Sequence, residues 1–576
     1  MIRKIKLAIA GFAILNILCA SSGYAAYPHV AYQIQGLNQD LMSPVQHRLD
    51  RSLQTLTQPS TEDIQFWYRQ SISNIKQTLE AYGYFKPSIK HTFKKIDSSW
   101  DASYQISVGP PLKITTLQVS VEDEEAKQDP KITKLIDDFP LHVGDVFQSE
   151  AYENAKQKLL AKLVAKGYLS AYFSKHTILI NRQAYTAKLI LTLNTGPRYY
   201  FGPITFQQSI LNNSLLERYI PFKRGGTPYS SIQLLKLQDN LNKSGYFQNV
   251  SIRDSQISKL NKNLPVTFIL TPRPSQQYTA GIGYGTDVGM RGTLGWESRY
   301  LNREGHRLSI FSQLSKIQKS LQTTYTIPGK HPNTDNYNIN FAIVRKKLTQ
   351  VTTTTQQLGI GSMNKWKGWQ RNLFLNYQIE RFHYLNRPMT NSRLLTPGIN
   401  LSYSKFDNPL FARHGYQLNF RLQGADQNLL SNTSFLQTEL QGKYILSWND
   451  NSRFLFRSDI GYTVASNLAN FPPSLLFYAG GSQSVRGYAY ESLGPGRYLM
   501  TGSVEYQHRL INNFYGAIFF DAGNAVNNFP VHLQKGSGLG LVWASPLGPM
   551  EATVGKALDL PGHPIRFQFT MGFDFL

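Results

Sequence analysis

The sequence predicts three α+β repeats followed by a sixteen-stranded antiparallel transmembrane β-barrel. A Gly-Tyr motif recurs in the N-terminal half at spacings of 84 and 78 residues, which indicates repeated units. From Gln276 onward, short stretches of alternating apolar and polar residues are separated by Gly, Asn, Asp and Pro. No segment after the N-terminal leader has the roughly 18 consecutive apolar residues of a membrane helix. A chain of this kind crosses lipid only as a closed barrel.

The N-terminus has the pattern of a secretory signal peptide. Three basic residues precede the apolar run Leu7–Leu18, and small residues follow up to Ala26. The run is shorter than the ~20 residues of a spanning helix, so we expect residues 1–25 to be removed as a signal peptide. The only cysteine, Cys19, lies in this leader after a leucine rather than a small residue, which disfavours lipid attachment.

The charge and the motifs restrict the class of function. A net charge of +24 predicts attraction to outer-membrane lipid head groups or to acidic clients. We expect no nucleic-acid partner, because no recognition motif accompanies the charge. The glycine-rich stretches 281–289 and 536–540 lack the strand, loop and helix context of a phosphate site. Neither a G-x-S-x-G nor an H-E-x-x-H motif is present, so we expect no enzyme, no cofactor and no metal site.

The repeated motif follows a predicted helix in each copy. Apolar residues at helical spacing from Tyr68 to Tyr82 predict a first helix that Ser60 or Thr61 caps and Gly83 ends. The three motif copies are Gly83-Tyr84-Phe85, Gly167-Tyr168-Leu169 and Gly245-Tyr246-Phe247. The strands predicted after them are 85–94 and 103–108, 169–180 and 185–193, and 247–253 and 264–270. Each unit therefore has the order strand, helix, helix, strand, strand, an α+β layer arrangement.

Turn-like breaks set the expected domain boundaries. We assign residues 26–110, 111–197 and 198–273 to the three repeats and residues 274–576 to the barrel. A sheet edge in each repeat could accept an extended peptide, although the repeats could also be simple spacers. The 301 residues from Gln276 to the C-terminus hold about sixteen strands at the usual length per strand and connection.

Two motifs in the barrel region carry a family resemblance. The first is Val485-Arg486-Gly487-Tyr488, which follows two glycines, and the second is the segment Phe519 to Gly523 with Glu505 upstream. Together with the domain order, they resemble the superfamily of outer-membrane assembly factors and two-partner secretion transporters. Members of that superfamily join periplasmic polypeptide-transport-associated (POTRA) domains to a sixteen-stranded barrel.

The resemblance implies a loop that folds back into the barrel. Its tip would be Val485, Arg486, Gly487 and Tyr488, and its partners in the barrel wall would be Glu505, Phe519, Asp521 and Gly523. The physical chemistry agrees, because a guanidinium inside a lumen needs charged acceptors and two carboxylates fix its planar fork firmly. The alternative is that Arg486 is an ordinary loop arginine.

Within the superfamily the chain most resembles the TamA family, subunits of the translocation and assembly module. Three repeats, the opening segment 30–37 and the first barrel segment 280–289 carry this likeness. It implies an insertase for β-barrel clients such as autotransporters, with a TamB-like inner-membrane-anchored partner. The alternatives are a two-partner-type secretion pore for a dedicated exoprotein and a passive porin.

The first and last barrel strands are predicted to form a lateral gate. Glycines on one face of the first strand provide little side-chain packing and favour unzipping. The alternative is that these glycines make room for the folded-in loop. The gate residues are Tyr278, Gly281, Gly283 and Gly285 on the first strand and Phe567, Phe569, Gly572, Phe573 and Phe575 on the last.

Overall fold

The computed structural model describes residues 29–571, apart from 57–58, 97–98, 224–225, 254–261, 349, 385–387, 469–470 and 547. The expected signal peptide and the gate residues Gly572, Phe573 and Phe575 lie outside the described residues. Among the described helices, none has the length and apolar character needed to span a membrane.

The first repeat is a three-stranded sheet covered by two helices. Strand β3 is central, parallel to β1 and antiparallel to β2. Ser60 caps the second helix: its hydroxyl accepts from the Asp63 N–H at 3.2 Å, and the Asp63 carboxylate accepts from the Ser60 N–H at 2.8 Å, a capping box. The elements are β1 His29–Gln35, α1 Gln39–Gln54, α2 Thr61–Ala81, β2 Ser88–Ile96 and β3 Ser99–Ser107.

The second and third repeats have the same sheet topology. The sheet orders are β4-β6-β5 and β7-β9-β8. The second repeat contains β4 Lys113–Val121, α3 Glu124–Lys127, α4 Pro130–Asp137, α5 Ser149–Val164, β5 Tyr172–Asn181 and β6 Thr186–Asn194. The third contains β7 Tyr200–Gln207, α6 Asn213–Glu217, α7 Ser231–Lys243, β8 Phe247–Arg253 and β9 Asn263–Pro272. The prediction of three α+β units is confirmed, with one additional short helix, α3, in the second.

The barrel is closed by sixteen antiparallel strands, as predicted. Its first eleven strands are β10 Gln276–Gly285, β11 Gly289–Ser298, β12 Arg307–Ser315, β13 Gln318–Pro328, β14 Asn336–Lys347, β15 Val351–Trp366, β16 Trp369–Tyr384, β17 Thr390–Phe406, β18 Gly415–Ala425, β19 Phe435–Ser447 and β20 Ser452–Ala465. The following loop contains the short strands β21 Phe477–Ala479 and β22 Leu493–Gly496. The last five strands are β23 Tyr498–Ile511, β24 Phe514–Val526, β25 Gln534–Ser545, β26 Gly548–Ala557 and β27 Ile565–Met571.

The barrel strands alternate between a lipid face and a lumen face. On β19, Leu436 and Leu440 are exposed on the outer surface, whereas Gln437 is buried inside. On β16, Glu380 is fully buried. An apolar outer face needs no solvation in lipid, and an enclosed polar face can hold hydrogen-bonded networks.

The Gly-Tyr motif forms the joint between the first and second repeats. The Gly83 carbonyl accepts from the Leu112 N–H at 2.8 Å. Gly83 has φ +93°, and a Cβ there would collide with the Phe147 carbonyl and lie 2.9 Å from a Val146 methyl. The motif glycine therefore both ends the helix and admits the next repeat at close range.

The second motif copy uses the same contacts. The Gly167 carbonyl accepts from the Tyr199 N–H at 2.8 Å. Gly167 has φ +98°, and a Cβ there would lie 2.9 Å from the Tyr199 carbonyl oxygen and 3.0 Å from that of Tyr229. The carbonyl of each of these two motif glycines thus accepts a backbone hydrogen bond from the start of the next unit.

The third copy joins its repeat to the barrel. The Tyr246 hydroxyl donates to the Gly305 carbonyl at 2.5 Å, in the turn between β11 and β12. The guanidinium of Arg307 lies 4.6 Å from the centre of the Tyr246 ring, a cation–π contact. Arg218 donates to the carbonyls of Pro328 and Gly329 at 3.1 and 3.0 Å, which adds the turn after β13 to the joint.

The close approach at Gly83 predicts that Gly83→Ala loosens the first joint. We expect an unfolding free energy about 1–3 kcal/mol lower than in the control, and a broader distance distribution between spin labels at Gln77 and Lys158. The control is Gly144→Ala, because Gly144 has a similar φ of +102° but no atom within 4 Å of a Cβ. Equal effects of the two substitutions would show that backbone strain alone, and not the joint, is responsible.

Candidate functional site

The described part of the long connection between β20 and β23 folds into the barrel, and we call residues 466–468 and 471–497 the lid loop. It contains a short 3-10 helix, Pro473–Leu475, and the β21–β22 hairpin. Val485, Arg486 and Tyr488 are buried, with at most 1% of each side chain exposed. The predicted loop tip therefore lies inside the barrel and not in solvent.

The guanidinium of Arg486 is held by carboxylates of the barrel wall. Its Nε and Nη2 donate to the two oxygens of Asp521 at 2.8 and 2.9 Å, a bidentate pair. The Arg486 backbone N–H also donates to Asp521, at 3.0 Å. Nη1 donates to Glu505 at 2.5 Å. The structure thus brings together Arg486, Asp521 and Glu505. The backbone N–H and the side chain of Arg486 both donate to the Asp521 carboxylate.

Three further residues complete the arginine site. Glu551 on β26 is a third acceptor, 3.2 Å from Nη1, and Ser503 accepts from Nη2 at 3.3 Å. The predicted residue Phe519 lies under the guanidinium, 3.5 Å from its carbon to the ring centre. The prediction missed Glu551 and the role of Ser503. The available signal for Glu551 was that it is the one acidic residue of β26.

The backbone of the loop tip lies against glycines of the wall. A Cβ at Gly536 on β25 would collide with the Arg486 carbonyl oxygen. A Cβ at Gly555 on β26 would lie 2.7 Å from the Gly487 nitrogen. Gly487 itself has φ +94°, and a Cβ there would lie 2.7 Å from the carbonyl carbon of Lys556. Strand glycines mark close backbone approach, and here they form a cradle for the loop.

The other predicted motif residues have distinct positions. Val485 and Tyr488 pack with Ala557 of β26, and the Tyr488 hydroxyl donates to Gln534 at 3.1 Å. Gly523 lies elsewhere on β24. The nearest atoms to a Cβ there belong to Met500 and Thr501 of β23, and not to the lid loop.

A second anchor holds the lid loop on the opposite wall. Glu380 accepts from the Ser474 N–H at 3.2 Å and also from the Ser474 hydroxyl, at the start of the 3-10 helix. Gln437 donates to the Leu475 carbonyl at 2.7 Å. Farther along the loop, Glu491 forms an ion pair of 2.7 Å with Lys346 of β14. The lid loop is therefore tied to strands on several sides of the lumen.

The seam between β10 and β27 has little pairing within the described residues. One register pair, Gly285 with Thr570, joins these strands there. The described part of β27 ends at Met571, so the seam is described at this one pair. Two further hydrogen bonds lie beside it: the Thr286 N–H donates to the Phe569 carbonyl at 3.0 Å, and the Phe569 N–H donates to the Thr286 hydroxyl at 3.1 Å.

The gate residues on β10 divide between its two faces. Tyr278 is 76% exposed on the lipid face, whereas Gly283 and Gly285 are buried on the lumen face. The nearest atoms to a Cβ at Gly281 and Gly283 belong to Thr293 and Arg291 of β11. On the last strand, Phe567 is largely exposed and Phe569 partly so. The wall glycines that do receive the loop are Gly536 and Gly555, on β25 and β26.

Loss of the Arg486 side chain should release the lid loop without unfolding the barrel. Arg486→Ala removes the cation shared by three buried carboxylates and leaves Glu505 with the more distant Arg457, 3.8 Å away. We therefore expect a loss of about 3–5 kcal/mol in unfolding free energy and cleavage of the loop by added protease. Arg486→Lys should restore part of the effect only, because lysine lacks the bidentate fork. Arg497→Ala, at the exposed end of the same loop, is the control. Wild-type protease resistance of Arg486→Ala would contradict the lid assignment.

The glycine cradle can be tested with all charges kept. Gly536→Ala should displace the loop backbone by collision with the Arg486 carbonyl and increase protease cleavage of the lid loop. Gly502→Ala on β23 is the matched control, since no atom lies within 4 Å of a Cβ there. If the two variants resist protease equally, the close approach at Gly536 does not hold the loop.

Comparisons with known proteins agree with this architecture. The family model described as "Omp85 superfamily domain" matches residues 282–575, and the model described as "POTRA domain TamA domain 1" matches residues 31–108. The chloroplastic outer envelope protein 80 of Oryza sativa subsp. japonica is 23% identical over 352 residues, which are 54% of this chain and 51% of that protein. The chain therefore spans about half the length of this relative.

The fold is also shared with a solved structure. BamA from Haemophilus ducreyi lacking POTRA domains 1–3 superimposes with a TM-score of 0.69 at 17% identity, covering 80% of this chain and 99% of that one. This likeness concerns the fold, whereas the family model extends over about half of the chain in sequence. The chain belongs to the Omp85 superfamily, as an outer-membrane β-barrel with POTRA domains.

Proposed function

We propose that the protein is a non-enzymatic insertase that opens between β10 and β27 to help β-barrel clients enter the outer membrane. The observation that carries the proposal is the set of glycines on β10 at the seam, Gly281, Gly283 and Gly285, which give this edge little side-chain packing. Opening this seam would expose two strand edges to a client strand. Unpaired edges are templates for strand addition.

The reaction needs no nucleotide in this proposal. An unassembled client has backbone N–H and C=O groups that lipid cannot satisfy. Pairing them first with an open edge, and then with one another as the client barrel closes, lowers the free energy at each stage. The insertase supplies a path, and the closure of the client supplies the driving force.

We further propose a TamA-type role, in which the clients include autotransporters and the partner is a TamB-like inner-membrane-anchored protein. The match of the first repeat to a TamA-type POTRA model supports this role. The edge strand β2 is the candidate docking strand, because its Lys90 and Lys94 are exposed. Photo-crosslinkers at these two positions should capture the partner in cells, whereas crosslinkers on the lipid-facing Leu436 should not.

The alternative functions are a secretion pore for a dedicated exoprotein and a passive porin. The lid loop, tied to Asp521, Glu505 and Glu380, lies across the lumen and argues against a permanently open channel. Large and stable single-channel conductance would favour a pore. Co-purification with nascent barrel clients would favour the insertase.

The lateral opening can be tested by locking the seam. The register pairs Gly285 with Thr570, so these two positions face each other across the seam. Directly opposite residues of an antiparallel pair have Cβ atoms about 4.5–5.5 Å apart, near the distance that a disulfide spans. The protein with Gly285→Cys and Thr570→Cys should lose client assembly in liposomes on oxidation and regain it on reduction.

The control for this experiment is each single cysteine variant under the same oxidant. Client assembly by the oxidised double variant at the rate of its reduced form would overturn the lateral route. The clients would then have to pass through the lumen.

A further inference from the structure

We propose that Asp287 is a clasp that ties the lid loop to the lateral seam, so that release of the loop and opening of the seam are coupled. This inference rests on the proposed lateral opening and adds a regulatory contact to it. Asp287 lies in the turn between β10 and β11, within hydrogen-bond distance of β27. It is outside the arginine site and outside the predicted gate residues.

The Asp287 carboxylate is shared between the two structures that it would couple. Its Oδ2 accepts from the Ser482 N–H of the lid loop at 2.8 Å. Its Oδ1 accepts from the Gln568 side-chain amide of β27 at 3.3 Å. One carboxylate thus contacts the loop and the last strand at once, while its own backbone continues the first strand.

The lid loop also contacts the other side of the seam. A Cβ at Gly481 would lie 3.0 Å from the Asp287 carboxylate, and a few residues later Gly487 lies against Gly555 and Lys556 of β26. The loop segment 481–487 therefore extends from the β10–β11 turn to the strand next to β27. It bridges the two edges that must separate when the seam opens.

The Asp287 contacts add to the described hydrogen bonds that join β10 and β27 at the seam. Within the described residues, β10 and β27 are joined by the Gly285–Thr570 pair, by a backbone hydrogen bond from the Thr286 N–H to the Phe569 carbonyl, and by a bond from the Phe569 N–H to the Thr286 hydroxyl. Hydrogen bonds to a carboxylate are roughly twice as strong as neutral ones. One of the two bonds of Asp287 crosses the seam to β27, the other holds the lid loop beside it, and one side chain accepts both.

The separate anchor at Arg486 explains why the clasp can act as a switch. Asp521 and Glu505 hold the loop tip even when the Asp287 contacts are absent. Loss of the Asp287 contacts would free the 481–484 segment and the edge of β27 while the rest of the loop stays in the lumen. Insertion of a client strand beside Gln568 would produce the same release.

The experiment measures the seam and the loop separately, without any client. The parent protein carries Gly285→Cys and Thr570→Cys and is reconstituted in lipid bilayers. Disulfide formation under limiting oxidant reports the closed seam, and protease cleavage between residues 481 and 485 reports the loop. With Asp287→Ala added, we expect disulfide formation to slow by about tenfold and loop cleavage to rise together. Asp287→Asn keeps the side-chain shape but loses one acceptor, so it should give an intermediate effect on both.

Two further variants separate the clasp from general destabilisation. Gln568→Leu removes only the seam contact and should slow disulfide formation. Asp426→Ala removes an aspartate that accepts within another loop at the same end of the barrel and should change neither measurement. The proposal is overturned if Asp287→Ala and Asp287→Asn change only one of the two measurements, or neither. Because no client is present, this failure is distinguishable from failure of client assembly in the locked barrel.

Discussion

Burial of one guanidinium inside the barrel determines the arrangement of the lid loop. A buried cation is costly unless carboxylates and hydrogen-bond acceptors surround it. Arg486 therefore requires Asp521, Glu505 and Glu551, which come from three different strands. It also requires that the loop backbone reach the wall, which the glycines of β25 and β26 permit. The barrel wall and the loop are thus one electrostatic and steric unit.

The same structure combines a firmly tied loop with a seam whose first strand, β10, is rich in glycine. The loop has charged anchors at Arg486, at Glu491 and at the Glu380–Ser474 contact. The seam has one described register pair. A wall with strong pairing everywhere would be stable but could not open, and a seam without bridging contacts would not stay closed. The arrangement is consistent with a barrel that opens at one defined place.

The same motif glycine occurs at successive joints between the repeats. A glycine with positive φ ends a helix, and the chain around it contacts the next unit at close range. In the third copy, Tyr246 and Arg307 join the repeat to the turn after β11, and Arg218 adds the turn after β13. The third repeat is therefore attached to the barrel on the β10 side of the seam, at the turns after β11 and β13. A displacement of this repeat would be transmitted to the strands that follow β10.

The sequence by itself determined the three repeats and the number of barrel strands, and its motifs predicted Arg486, Asp521 and Glu505 as members of one site. Helical and strand periodicity are local properties of the chain, and Arg486, Asp521 and Glu505 lie in recognisable motifs. Only the tertiary structure decided the seam register, the glycine cradle, Glu551 and Asp287. These contacts join residues 65 positions apart for Arg486 and Glu551, 195 for Ser482 and Asp287, and 281 for Gln568 and Asp287. Closure of the barrel brings such distant residues together, and local periodicity contains no information about which of them will meet.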